Sequence, residues 1–180
     1  MSAHENNGLS DEWYTPKYIF NALSCVFDMD VASPMNYDKI HTPTNTFITN
    51  NSLNIIWKGF VWMNPPFGKR NGLEPWLDKI EKHGNGIALT PDRSSASWWQ
   101  KSAKGCDALL HVHGKIKFIK PNGESGNSPS CGTTLFAFGE KAVMALQNAQ
   151  KNGLGILFVK PTIDKIDIKN NGWVHIRPID

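Results

Sequence analysis

Long apolar segments and paired cysteines are both missing from this sequence. The longest apolar runs hold about five residues, against the roughly twenty that cross a bilayer. The N-terminal residues have neither the basic start nor the apolar stretch of a secretory signal. The three cysteines are far apart and form no Cys-x-x-Cys pair, so neither a disulfide framework nor a zinc site is expected. These absences predict a chain of the reducing cytoplasm, with no membrane span and no bound metal.

Other recurring patterns are absent too. The sequence has no repeat period and no low-complexity tract, which excludes solenoid architectures, and it has no phosphate-binding P-loop. Its six histidines include one close pair, His111-x-His113, and no carboxylate or cysteine stands at metal-ligand spacing from that pair. No Ser/His/Asp arrangement for nucleophilic catalysis can be inferred.

What the sequence does contain is enough apolar material for one globular domain. The chain has 180 residues, of which 40% are apolar and 19% charged, and its seven tryptophans are unusually many. The net charge of +3 permits nucleic-acid binding without requiring it. We expect a flexible N-terminus over residues 1–10 and a single compact domain over residues 11–180. The oligomeric state stays open between a monomer and a weak dimer.

Strand-like and helix-like segments alternate along the chain. Short apolar runs and alternation predict strands at 27–31, 46–49, 60–63, 86–91, 108–112, 115–119, 133–138, 155–159 and 173–176. Helical periodicity predicts helices at 15–26, 74–82, 94–104 and 140–151, the first with Thr15 as its cap and Pro16 at its first position. A long loop is expected at 121–132. This alternation is typical of an α/β domain with an open sheet, whose ligands bind beyond the carboxyl ends of the strands.

The turn Asn64-Pro65-Pro66-Phe67, directly after an apolar strand, is the most informative stretch. Asn64 offers a side-chain carbonyl, and Pro65 offers a backbone carbonyl in a turn that the prolines make rigid. Two converging acceptors suit a planar amino group that donates two hydrogen bonds. Phe67 can stack on the ring that carries this amino group, which is worth about 1–3 kcal/mol for a nucleic-acid base. The turn therefore favours a site for an aromatic amine.

Further segments occur around this turn in a recognisable order. They are Trp13-Tyr14-Thr15-Pro16, Asp30-Val31-Ala32-Ser33, Leu89-Thr90-Pro91-x-Arg93 with Trp98, and Gly114-Lys115-Ile116-Lys117-Phe118. From about residue 11 to residue 138 the chain resembles the phage-type Dam family of DNA N6-adenine methyltransferases. The tetrapeptide itself is similar to motif IV of amino-methyltransferases that use S-adenosylmethionine.

The resemblance implies a Rossmann-like class I methyltransferase sheet with helices on both faces. It implies methyl transfer from S-adenosylmethionine to the exocyclic amine of a flipped adenine in DNA. Since the family occurs largely in phages and prophages, it also implies modification of DNA against host restriction, in the bacterial cytoplasm.

The resemblance also assigns roles to individual residues. The catalytic residues would be Asn64, Pro65, Pro66 and Phe67. The cofactor-binding residues would be Trp13, Thr15, Pro16, Asp30, Ala32, Ser52 and Asn64. As DNA-binding residues we expect Lys69, Arg70, Arg93, Lys115 and Lys117, whose positive charges suit phosphates.

Two departures weaken the cofactor assignments. Ala32-Ser33-Pro34 stands where many methyltransferases carry a Gly-x-Gly loop, and Asn51-Ser52-Leu53 stands where relatives tend to carry Asp-x-Leu. The alternatives are a methyltransferase acting on an RNA base or a protein glutamine, and a non-catalytic nucleic-acid-binding module derived from such an enzyme. Locally, the turn, the helix start and the basic residues are each also compatible with a purely structural role.

Overall fold

A computed structural model describes residues 13–35, 40–67 and 72–160. Within these residues one mixed sheet of six strands packs with four helices. The strands are β1 Met29–Asp30, β2 Val61–Met63, β3 Gly86–Pro91, β4 Ala108–Val112, β5 Thr133–Phe138 and β6 Gly155–Val159. The helices are α1 Lys17–Leu23, α2 Glu74–His83, α3 Ser97–Gly105 and α4 Glu140–Lys151, and a 3-10 turn covers Ser52–Asn54. The fold is therefore mixed α/β, as the alternation predicts.

The strand order is β1-β2-β3-β5-β4-β6. The first three strands are parallel, β5 runs antiparallel to both β3 and β4, and β6 runs antiparallel to β4. Pro91 at the end of β3 therefore lies opposite Thr133 at the start of β5. The carboxyl ends of β1, β2 and β3 and the amino end of β5 consequently share one edge of the sheet.

Two apolar layers cover the two faces of the sheet. On one face α1 and α4 pack against inward side chains that include Trp62, Leu89 and Leu135. On the other face α2 and α3 pack against residues such as Val61 and Phe136. Adjacent residues of one strand face opposite layers because strand side chains alternate, and this is why all three residues of β2 are buried. Helices on both faces agree with the expectation from the sequence.

The first helix is shorter than the sequence predicts. It begins at Lys17, with Pro16 as the N-cap residue, and no side chain caps it, so the predicted Thr15 cap is wrong. It ends at Leu23 because Ser24 adopts a left-handed conformation with φ of 50°. Val26, which the helical pattern would bury, is consequently 70% exposed.

Two predicted strands reduce to single bridges. In 46–49 the ladder is limited to Phe47 beside Asp30, and in 115–119 it is limited to Ile119 beside Tyr14 and Ser125. The alternation in the second segment is nevertheless real, since Ile116 is fully buried while Lys115 and Lys117 are exposed. The apolar pattern thus fixed which side chains face inward without creating a hydrogen-bonded strand.

The remaining boundaries are close to those predicted, although α3 starts at Ser97 rather than at residue 94. The predicted strand at 173–176 and the N-terminal segment 1–10 lie outside the described residues. No helix in the described part of the chain is long and apolar enough to cross a membrane.

Candidate active site

An open cleft with a volume of about 1260 Å³ lies at the sheet edge where β1, β2 and β3 end. Residues that follow these three strands line it, as do Thr133 at the start of β5 and the preceding loop from Asn127 to Gly132. Five aromatic residues are part of its lining, namely Trp13, Phe67, Trp76, Trp98 and Phe118. The cleft therefore occupies the position that an open α/β sheet favours for ligands.

The Asn64 segment, Asn64–Phe67, enters this cleft directly after β2. The Asn64 side-chain amide group donates to the Thr15 Oγ1 at 3.2 Å and to the Trp13 carbonyl at 3.4 Å. Because a backbone carbonyl can only accept, this contact fixes which end of the amide faces Trp13. The Asn64 Oδ1 is left without a donor among the described residues.

The next three residues are two prolines, which make the segment rigid, and Phe67, which supplies an aromatic ring. Pro65 is buried and Pro66 is exposed, and no donor in the described part of the chain reaches the Pro65 carbonyl. Phe67 is half-buried, packs against the apolar layers on both faces of the sheet and lines the cleft. The segment thus presents two acceptors that no described residue engages, Asn64 Oδ1 and Pro65 O, next to an anchored aromatic ring.

The partner of Asn64 is an extended segment held to another part of the chain. Tyr14 exchanges two backbone hydrogen bonds with Ile119, both 2.9 Å long. The Trp13 ring lies against Gly126, where an added Cβ would come within 2.5 Å of the ring. Thr15 is 6% exposed. Trp13 and Thr15 therefore occupy fixed positions beside the Asn64 amide.

The Asn51 segment, Asn50–Asn54, lines the cleft as well. Lys79 of α2 holds two carbonyls of this segment and that of the next residue, because its Nζ donates to the carbonyls of Ser52 at 2.8 Å, Leu53 at 3.0 Å and Ile55 at 2.5 Å. The same Nζ lies 4.6 Å from the centre of the Trp57 ring, and desolvation lowers the pKa of Lys79.

Trp57 completes this arrangement. Its Nε1 donates to both the carbonyl and the Oγ of Ser52, each at 3.0 Å, and its ring stacks on Trp76 with centroids 6.2 Å apart. Ser52 is buried and its hydroxyl already has a partner in Trp57. Asn51 adopts a left-handed conformation, φ 52°, which asparagine tolerates better than most residues.

Asp30 lies behind the cleft rather than in its lining. Its carboxylate accepts hydrogen bonds from Thr42 Oγ1 at 2.6 Å and from the Ala32 amide at 3.2 Å, and the residue is 3% exposed. Burial raises the pKa of Asp30 to about 6, against the opposing effect of these two hydrogen bonds. Asp30 thus holds the chain that leads to Ala32, which does line the cleft.

The charged residues lining the described part of the cleft are both cationic, Arg93 and Lys120. Lys115 and Lys117 are exposed outside it, and Lys115 Nζ donates to the Ser130 carbonyl at 3.2 Å. Lys69 and Arg70 lie outside the described residues. Among the described residues no three His, Cys, Asp or Glu side chains lie close enough together to hold a metal ion.

The structure brings together most, but not all, of the predicted site. The cleft lining includes Trp13, Ala32, Ser52, Arg93 and the whole Asn64 segment. It does not include Thr15, Pro16 or Asp30, which lie behind it. Sequence reasoning missed Lys79, Lys120 and the role of the loop 127–132, because each depends on tertiary placement and none belongs to a local motif.

Asp92 directly follows β3 and does not line the cleft. Its Oδ2 lies 3.0 Å from His111 Nδ1, and the His111 ring stacks on Trp99 with centroids 5.8 Å apart. Asp92 therefore ties the end of β3 to β4 across β5, and it does not cap α3, whose N-cap residue is Ala96.

Comparison with known families agrees with this geometry. A family model described as DNA N-6-adenine-methyltransferase (Dam) matches residues 2–154, a range that spans the Asn64 segment, Trp13–Thr15 and Arg93 and ends just before β6. No match to a curated protein or to a solved structure was found. Since the family model covers most of the 180 residues, the chain belongs to the DNA N-6-adenine-methyltransferase (Dam) family.

Proposed function

We propose that this protein transfers a methyl group from S-adenosylmethionine to the exocyclic N6 amine of an adenine flipped out of DNA. The observation that carries the proposal is a pair of acceptors, Asn64 Oδ1 and Pro65 O, which no described residue engages and which lie beside the Phe67 ring in a cleft at the sheet edge. An adenine amine donates two hydrogen bonds and so matches this pair. We also propose that the fold is of the Rossmann-like class I methyltransferase kind. The methylation would serve to modify phage or prophage DNA against host restriction.

The cleft fits the cofactor in size and in chemistry. Ligand pockets usually measure about 300–1,000 Å³, and this cleft, at about 1260 Å³, has room for a nucleoside cofactor and a base together. Trp13, Ala32 and Ser52 would hold the cofactor, with Asp30 supporting Ala32 from behind. When bound, S-adenosylmethionine supplies the methyl group as an electrophilic sulfonium.

The residues of this chain would act by positioning and polarisation. Two acceptors at the amine fix its direction and draw on its lone pair, and their orientation is set before the substrate arrives. The described lining of the cleft contains no carboxylate and no histidine, so neither of these common general bases stands there to take the proton that the amine releases. That proton would therefore pass to water.

Arg93 and Lys120 give the cleft a cationic side suited to the phosphates of an extruded nucleotide. Flipping a base costs a few kcal/mol, which stacking on Phe67 and phosphate contacts can offset. A free RNA base or a protein glutamine also presents an amino group, but the glutamine amide has no ring to stack on Phe67 and no phosphate for the cations.

The test is transfer of labelled methyl from S-adenosylmethionine to unmethylated DNA, followed by nucleoside analysis. N6-methyladenine is expected, with RNA and protein substrates unlabelled. Label in RNA or protein alone would overturn the choice of substrate. Absence of cofactor binding would favour a non-catalytic module.

The variant Asn64→Ala tests whether methyl transfer depends on the acceptor pair. Asn64→Ala removes one acceptor, and we expect kcat to fall by about 10²–10³-fold, as for the loss of one preorganised polar group in an active site. Cofactor affinity should change little. Asn21→Ala, on an exposed position of α1 outside the cleft, serves as the matched control. Near wild-type turnover in Asn64→Ala would contradict the proposed role.

A further inference from the structure

The contacts of Thr15 point away from the cofactor and toward Asn64. The resemblance to the family assigns Thr15 to cofactor binding, yet its side chain does not line the cleft and it is 6% exposed. Its hydroxyl oxygen instead accepts a hydrogen bond from the Asn64 side chain at 3.2 Å. Thr15 also caps no helix, because Pro16 is the N-cap residue of α1.

We propose that Thr15 is a positioning residue that, together with the Trp13 carbonyl, holds the Asn64 amide in place with Oδ1 toward the substrate amine. This inference rests on the proposed function. A side-chain amide can turn over, and an inverted Asn64 would present two donors to an amine that is itself a donor. Catalysis by the acceptor pair therefore needs something that holds the amide in one orientation.

Two hydrogen-bond acceptors contact the Asn64 amino group and keep the amide in place. The Trp13 carbonyl and the Thr15 Oγ1 both receive hydrogen bonds from the Asn64 amino group, at 3.4 and 3.2 Å. The carbonyl can only accept, so it sets which end of the amide turns toward Trp13, and the Thr15 hydroxyl adds the shorter of the two contacts, which keeps the side chain in place.

The position of Thr15 is itself fixed from outside the site. Tyr14 exchanges two backbone hydrogen bonds with Ile119, and the Trp13 ring rests on Gly126. The orientation of Asn64 is thus linked to the segment 118–126, more than fifty residues further along the chain. Neither Ile119 nor Gly126 lines the cleft.

The variant that isolates this role is Thr15→Val, which keeps the shape and removes the hydroxyl. Losing one hydrogen bond of ordinary strength predicts a fall in kcat of roughly three- to tenfold. The KM for S-adenosylmethionine and its affinity, measured by calorimetry, should stay within about twofold. Thr15→Ser restores the hydroxyl and should recover most of the lost kcat. Thr134→Val, which removes another buried hydroxyl that accepts from Trp99, controls for lost stability alone.

A double-mutant cycle with Asn64→Ala separates positioning from general damage. Because Thr15 acts through the Asn64 amide, adding Thr15→Val to Asn64→Ala should reduce kcat no further. An additive loss, or a rise in the cofactor dissociation constant with kcat unchanged, would overturn the inference and return Thr15 to the cofactor site. If the wild-type protein does not methylate DNA, the proposed function itself is rejected. If the wild-type protein methylates DNA and Thr15→Val keeps the full kcat, the positioning role of Thr15 is rejected while the proposed function stands.

Discussion

The Asn64 segment and the Asn51 segment line the same cleft, but different kinds of contact hold them. The Asn64 segment is fixed by neutral groups, namely two prolines, the Thr15 hydroxyl and the Trp13 carbonyl. The Asn51 segment is fixed by a charged group, the Lys79 ammonium, which binds three backbone carbonyls. A second charged group, Asp30, supports the neighbouring chain at Ala32.

This difference matters because neutral hydrogen-bonding groups do not change their charge with pH, whereas a buried ionisable group such as Asp30 does. The acceptor pair at the reacting amine therefore keeps its orientation over a wide pH range. The side of the cleft that we assign to the cofactor depends on charged residues in the supporting structure. Altering those charges should change cofactor binding and stability before it changes the chemical step.

Among the charged residues the largest expected effect comes from Lys79→Met, which keeps the aliphatic stem and removes the ammonium group. Three carbonyls of the Asn51 segment and of Ile55 lose their donor, and the cation–π contact with Trp57 is lost. We expect the free energy of unfolding to fall by about 2 kcal/mol, since hydrogen bonds from a charged donor are strong but these carbonyls can partly turn to water. The KM for S-adenosylmethionine should rise about tenfold, with kcat within twofold.

Denaturant unfolding and steady-state kinetics measure these two quantities. Lys82→Met is the control, because Lys82 is exposed on the same helix near the opposite edge of the sheet. An unchanged KM in Lys79→Met would show that the Asn51 segment does not contact the cofactor.

The fold could be predicted from the sequence wherever a segment has its own apolar period. The strands at 86–91, 108–112, 133–138 and 155–159 have the predicted boundaries for this reason. The segment 115–119 shows the limit, because alternation determines which side chains are buried but pairing needs a neighbouring strand with free backbone groups. The sequence also could not reveal that β5 lies between β3 and β4, since strand order is a tertiary property.

The candidate site was predictable to the same extent. The Asn64 segment was found because its chemistry lies in four consecutive residues. The roles of Thr15 and Asp30 could not be derived, since each depends on a partner that is distant in sequence, Asn64 for one and Thr42 for the other. Lys79 has no local signal, because a lysine on an amphipathic helix normally indicates a solvated face.

A smaller effect is expected from the second charge, Asp30. Burial raises the folded-state pKa of Asp30 to about 6, above its ordinary value of 3.8, so the folded protein holds this proton more firmly than the unfolded chain. Its contribution to stability is therefore full below pH 3.8 and is lost as the pH rises through 6. Between pH 7 and pH 5, ligand-free wild type should gain about 1 kcal/mol relative to Asp30→Asn.

Denaturant unfolding of both proteins at several pH values measures this difference. Thr42→Val sharpens the test, because the Thr42 hydroxyl donates to the carboxylate and so lowers the pKa of Asp30. Its loss should move the transition to higher pH. A pH dependence that is the same in wild type and Asp30→Asn would show that the carboxylate titrates as an exposed group.

The smallest effect concerns two lysines that share one segment. Lys120 lines the cleft and has Glu124 as a weak ion-pair partner at 3.8 Å, whereas Lys117 is exposed outside the cleft. If the flipped nucleotide enters beside the Asn64 segment, the phosphate next to it lies within reach of Lys120. Lys120→Ala should raise the KM for DNA about two- to threefold and reduce the dependence of log KM on log salt by about 0.9, the effect of one phosphate contact.

Lys117→Ala tests whether the DNA contact extends beyond the cleft, because Lys117 lies outside the cleft and was expected from the sequence to bind phosphate. If the DNA contacts only the cleft, Lys117→Ala should have the same KM for DNA and the same salt dependence as the control Lys82→Ala. Lys82 lies near the far edge of the sheet. A reduced salt slope in Lys117→Ala would extend the footprint along the segment 115–120. The DNA would then lie against the same stretch whose Ile119 holds Tyr14, and binding of the duplex would bear directly on the orientation of Asn64.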